Sequence, residues 1–171
     1  MKKALLLIFL LNCGIGISQN KFPVFEQIAF EYYSKEILKK HPVKKRITLN
    51  RYYSNYQQGG TYIPDKNCFK NNLEVKNLIE IDKDKYRQNN NESDKFEFDL
   101  SKIDKKKFKI RKKEKNRYPK LFFSYPLVSK KNPNRIFVNV LELYDLKVNA
   151  YHIEINLKGE VVDWCHTLHE I

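Results

Sequence analysis

RIFVNVLELYDLKVNAYHIEINLKGEVVDWCH, residues 135–166, decides the fold. It is rich in β-branched and aromatic residues, and turn-type residues interrupt it at Tyr144-Asp145-Leu146-Lys147 and at Lys158-Gly159. That pattern predicts three antiparallel strands, Arg135 to Tyr144, Val148 to Leu157 and Glu160 to about His166. A two-residue Lys158-Gly159 turn sets Leu157 opposite Glu160, Ile155 opposite Val162, Ile153 opposite Trp164 and His152 opposite Cys165. One face then carries Ile153, Ile155, Leu157, Val162 and Trp164 and belongs to the core. The other carries His152, Glu154, Asn156, Val161, Asp163 and Cys165 and is polar.

Upstream, Phe96-Glu97-Phe98-Asp99-Leu100 alternates, and Phe108 and Ile110 alternate with Lys107, Lys109 and Arg111, so the two apolar residues are expected to face inward. Leu121 to Val128 reads as a further strand, and Asn132-Pro133-Asn134 as the turn that follows it. Between Phe22 and Lys40 the period changes: Phe25, Ile28, Ala29, Tyr32, Tyr33 and Ile37 fall on one stripe of an amphipathic helix that Pro42 stops. The middle of the chain is less regular, with a short strand at Ile47-Thr48-Leu49, a turn at Gln57-Gln58-Gly59-Gly60, an apolar run from Val75 to Ile81 and an exposed loop from Lys83 to Lys95. The expected fold class is α+β, an N-terminal amphipathic helix packed on a C-terminal antiparallel sheet of about 4–6 strands.

The chain has 171 residues, 42% of them apolar and 13% aromatic, enough for one hydrophobic core. Residues 1–18 read as a secretory signal, with Lys2 and Lys3 ahead of the apolar run Ala4 to Leu11 and a small-x-small site at Gly16-Ile17-Ser18. Residues 19–171 are then a single domain in a secreted or periplasmic protein, and no later segment could span a membrane. Leu10-Leu11-Asn12-Cys13 supplies the alternative, a lipoprotein anchored at Cys13. Loss of the signal leaves Cys68 and Cys165, for which two readings stand: a disulfide in an oxidising compartment, or two buried free thiols that act as small hydrophobes.

This order of features resembles small exported bacterial proteins of unknown function. The resemblance rests on the signal, the single helix, Phe96-Glu97-Phe98, Ser124-Tyr125-Pro126-Leu127-Val128, the Arg135-to-Val140 strand and a Gly159-centred turn before Trp164. It covers roughly the last third of the chain, implies a fold and a compartment, and transfers no catalytic residue.

Two constellations bear on chemistry. His152 and Cys165 on the polar hairpin face, with His166 and His169 just beyond, are residue types that ligate zinc. The same hairpin supports a thiol-dependent enzyme reading centred on His152, Asp163, Cys165 and His166, although a disulfide would abolish the nucleophile and no glycine-rich elbow accompanies the cysteine. Gly59-Gly60-Thr61 lacks the lysine of a phosphate loop, and no cofactor is expected. The second constellation is a basic run between Lys102 and Lys120, holding eleven lysines and arginines against Asp104 and Glu114. Lys105, Lys106, Lys107, Lys109, Arg111, Lys112, Lys113, Lys115 and Arg117 are its candidates for an anionic partner. Export makes nucleic acid an improbable partner and favours anionic envelope components or an acidic protein. The expected function is a non-enzymatic structural or interaction domain. The alternatives are a small metal- or thiol-dependent enzyme, or a ligand-binding cone resembling the nuclear-transport-factor-2-like fold, with its pocket between Tyr32, Tyr33 and the sheet.

Overall fold

The computed structural model describes residues 24–50, 68–69, 78–80, 98–111 and 118–170. The proposed signal, the Gly59-Gly60 turn, the loop from Lys83 to Lys95 and the Phe96-Glu97 pair lie outside the described residues. Helix α1 occupies residues 25–40 as an α-helical part, Phe25–Tyr32, a π-helical turn, Tyr33–Ile37, and a last α-helical turn, Leu38–Lys40. Phe25, Ala29, Tyr33 and Ile37 are fully buried along it, with Ile28 and Tyr32 packed at the margin, so the buried stripe is the one the spacing selects. His41 N–H still bonds to Ile37 O at 2.8 Å; Pro42 then has no N–H to offer and the helix ends.

Eight strands form one sheet: β1 (Ile47–Asn50), β2 (Leu78–Glu80), β3 (Phe108–Arg111), β4 (Lys120–Phe123), β5 (Leu127–Ser129), β6 (Arg135–Leu143), β7 (Lys147–Asn156) and β8 (Val161–Glu170). Across it the neighbours run β3-β1-β4-β6-β7-β8; β5 takes over from β4 along the first half of β6, and β2 pairs with β5. The sheet is mixed rather than purely antiparallel, because β1 runs parallel to both β3 and β4. The chain between β1 and those strands is long enough for the crossovers that parallel pairing requires. The strand number also exceeds the expected range. Short β1 and β2 join from the weakly patterned region, and the Leu121-to-Val128 run is divided in two at Ser124-Tyr125-Pro126. Pro126 cannot donate to a ladder. Ser124 keeps the break attached to β6, its N–H bonding to Asn139 O and its Oγ accepting from Asn139 N–H, both at 2.9 Å.

The β7–β8 hairpin meets the expected pairing at Ile153–Trp164 and His152–Cys165, but reaches it differently. Asn156 N–H bonds to Glu160 O, so the loop is Leu157-Lys158-Gly159, one residue longer than expected, with Gly159 at φ 83°. A left-handed third position is what such a loop requires, and glycine takes it without a Cβ clash. A bulge then offsets the extra residue: Ile155 pairs with Val161, Glu154 with Asp163, and Val162 is left over. Val161 consequently packs against the core while Val162 is 60% exposed and Leu157 points to solvent, reversing their expected faces. Beyond Trp164 the strand continues to Glu170, opposite Lys147.

The helix side of the sheet is filled. Phe30 meets Phe98, Phe108 and Phe123 with ring centroids 5.4, 5.6 and 6.1 Å away, and Tyr33 meets Tyr151 at 5.4 Å. Ile136, Val138, Val140, Ile153 and Ile155 lie in the same cluster. On the opposite face Phe69 packs on Phe137 and Leu127, flanked by Cys68 and Cys165. Strand β6 is therefore buried on both faces, which its near-continuous apolar sequence reflects. In β3 only Phe108 reaches the core; Ile110 is exposed and Lys109 and Arg111 are half-buried, so the expected inward alternation stops after one residue. The cause is position, for β3 lies at the edge of the described sheet.

Candidate functional site

The polar face of the hairpin holds a linked row of side chains. His152 is fully buried, and its Nδ1 lies 2.8 Å from Asn139 Oδ1 while its Nε2 lies 2.9 Å from Thr167 Oγ1. Asn139 Oδ1 can only accept, so the ring proton sits on Nδ1 and the Nε2 lone pair accepts from the threonine hydroxyl. Thr167 Oγ1 in turn lies 2.9 Å from Nε2 of His169. Burial, and next the nearby His169, push the His152 imidazole down to about 3 and keep it neutral. On the same face Arg135 grips Glu154, its Nε and Nη2 donating to the two carboxylate oxygens at 2.6 and 2.7 Å.

Cys165 neighbours His152 across the ladder, and its Sγ meets that of Cys68 as a disulfide pair, the Cα atoms 5.4 Å apart, within the span such a bridge requires. The expected zinc set is thus split by strand alternation. Cys165 and His169 share a face with His152, whereas His166 lies on the helix side, its ring stacked on Tyr151 at 4.8 Å. Asp163 lies beside Glu154 across the ladder. The residue that joins His152 and Cys165 is instead Cys68, from a distant part of the chain: one ligand atom from each of the three lies within 4.8 Å of the others. Bonded to Cys68, Cys165 has no thiolate to serve as a nucleophile.

A second cluster lies on the helix side and was not anticipated. Glu142 is 1% exposed and accepts hydrogen bonds from Tyr33 Oη, from Tyr144 Oη at 3.1 Å and from Asn149 Nδ2 at 2.9 Å. Burial, reinforced by the Glu142 charge, raises the hydroxyls of Tyr33, Tyr144 and Tyr151 well above the ordinary phenol value. His166 approaches Asn149 Oδ1 at 3.4 Å, and His41 faces Tyr151, Trp164 and His166 with centroids 5.8, 5.7 and 5.3 Å away. Burial, and then His41, lower the His166 imidazole. Tyr33, expected to line a ligand pocket, is fully buried in this packing.

The third feature follows from the parallel strands. Because β1, β3 and β4 point the same way, the segments that precede them emerge at one end of the sheet. Antiparallel β6 delivers its turn to β7 there too, since Lys120 pairs with Leu143. Exposed Lys44, Lys45, Arg46, Lys105, Lys106 and Lys147 gather at this end, with Asp104, Asp145 and Glu170 as the acids beside them. Between them opens a groove of about 620 Å³, lined by Pro42, Val43, Tyr118, Pro119, Tyr144 and Leu146 together with Lys44, Lys45, Lys147 and Asp145. Leu146 is 74% exposed at its rim.

No family model, curated protein or solved structure matches this chain.

The candidate anionic-partner residues are therefore placed by geometry alone. Lys105 and Lys106 are exposed at the cationic end; Lys107, Lys109 and Arg111 are half-buried; and Lys112, Lys113, Lys115 and Arg117 lie outside the described residues. Sequence reasoning missed Lys44, Lys45 and Lys147. Lys44-Lys45-Arg46 is itself a short basic run, but only the pairing of strands far apart in the chain brings it to the same end as Lys147.

Proposed function

We propose that this protein is an exported, non-enzymatic interaction domain that docks on anionic lipid surfaces of the cell envelope through the groove at the cationic end of its sheet. The observation that carries the reading is that groove, a mostly apolar lining with exposed Leu146, in which Lys44, Lys45 and Lys147 outnumber Asp145. Apolar side chains ringed by lysines suit the boundary between lipid headgroup and acyl chain, where burial and attraction to negative headgroups act together. Export rests on the reading of residues 1–18, and the likeness to small exported bacterial proteins belongs to the same proposal. No helix among the described residues is long and apolar enough to cross a membrane, so docking is peripheral in this account.

Binding to vesicles of phosphatidylglycerol, compared with vesicles of phosphatidylcholine, tests the idea. The protein should partition onto the anionic vesicles, weaken as salt rises, and lose affinity about 100-fold when Lys44, Lys45 and Lys147 are changed to Glu, from about 1 kcal/mol for each lysine near the surface. Equal binding to both vesicles, or an unchanged affinity in the triple variant, would overturn it. Capture by an acidic protein without any vesicle binding would move the assignment to a protein partner.

A further inference from the structure

The geometry points to a redox-gated site for a thiophilic divalent cation formed by Cys68, His152 and Cys165, open only when the disulfide between the two cysteines is reduced. Three observations converge on it. One ligand atom from each residue lies within 4.8 Å of the others, a spread that small side-chain adjustments bring to the spacing of ligands around one zinc-sized ion. His152 is already arranged as a ligating histidine, with its Nδ1 proton directed at Asn139 Oδ1, which leaves Nε2 as the atom with a lone pair. The site is anchored on paired strands: His152 and Cys165 are ladder partners, and Cys68 is held beside buried Phe69, which packs on Phe137 of β6. Preorganisation of this kind lowers the cost of assembling a ligand set. His169, linked to His152 through Thr167, stands on the same face as a further nitrogen donor.

The chemistry balances as two steps. A dithiol or phosphine reductant delivers two electrons to the disulfide, two protons are taken up, and Cys68 and Cys165 become thiols while the reductant is oxidised. A divalent cation then displaces the two thiol protons to solvent and bonds to both sulfurs and to His152, whose nitrogen exchanges its hydrogen bond from Thr167 for the metal. Oxidation by a disulfide reverses the sequence and expels the ion. Disulfide and metal are alternative occupants of the same two sulfurs, so the oxidised protein has no such site.

Cobalt(II) is the probe, because its thiolate complexes absorb strongly in the near ultraviolet. Phosphine-reduced protein should take up one equivalent and develop the sulfur-to-cobalt band. Oxidised protein should not. Cys68→Ser and His152→Ala should each bind at least about 10-fold more weakly, with circular dichroism confirming that the variants fold. Should His152→Ala fail to fold, protection of both cysteines from alkylation by bound cobalt in the wild-type chain reads out the same site. Absence of the band in reduced wild-type protein overturns the inference, as does a Cys68→Ser variant that binds like the wild type or cobalt that leaves both thiols equally reactive.

Discussion

Glu142 is a carboxylate with almost no access to water, and what keeps it there is a set of donors drawn from three elements. Tyr33 comes from α1, Tyr144 from the β6–β7 turn and Asn149 from β7. A buried acceptor with such partners stabilises the fold only while all of them are present, since losing one leaves a desolvated polar group. Glu142→Gln turns an amide N–H toward a position where the carboxylate accepted from Tyr144 and Asn149. It should lower stability by about 2 kcal/mol in urea unfolding; an unchanged midpoint would show that this network carries no net energy. Nothing local in the sequence marks this residue. In Leu141-Glu142-Leu143 a glutamate between two leucines reads as the solvent side of an alternating strand. Its burial is imposed by a helix more than a hundred residues earlier in the chain.

At the scale of elements, the pairs expected at the middle of the β7–β8 hairpin are met, and those expected near its turn, Ile155 with Val162 and Leu157 with Glu160, are not. Ile153–Trp164 and His152–Cys165 were legible, because only one register keeps Trp164 in the core and Asp163 out of it. The bulge was not, since Val161-Val162 offers two apolar residues for one inward position and alternation cannot choose between them. That ambiguity makes a prediction. Deleting Val162 removes the leftover residue and leaves Val161 inward, Asp163 outward and Cys165 facing Cys68, so the disulfide should still form and stability should change by no more than about 1 kcal/mol. Inserting one alanine between Asp163 and Trp164 should instead send Cys165 to the helix side and abolish the bridge. Peptide mapping of the unreduced protein distinguishes the two. The helix was legible from its stripe, whereas parallel β1–β3 and β1–β4 pairing was not, because short strands carry no mark of which way their neighbours run.

For the whole molecule, the bridge between Cys68 and Cys165 ties residues 97 positions apart. In the chain-entropy account a loop of that size restricts the unfolded state enough to contribute about 4–5 kcal/mol. Thermal unfolding with and without a phosphine reductant, in metal-free buffer, should therefore show a fall of about 8–20 degrees; a fall of only a degree or two would mean that the core of α1 against β6–β8 is sufficient alone. The charge distribution belongs to this scale too. The run between Lys102 and Lys120 was conspicuous in the sequence, yet the described basic surface is defined by the end of the sheet at which strands from three parts of the chain begin.

The helix that covers the sheet is made first, and the strands it covers are made last. During synthesis Phe25, Ala29, Tyr33 and Ile37 are followed soon by Ile47 and Leu49, but the surface they settle on is complete only when the polypeptide has been extended through Ile155, so the nascent chain carries a partly uncovered apolar ridge for most of its production. A polypeptide built in this order covers that ridge fully only when β6, β7 and β8, the last strands in the described chain, take their places.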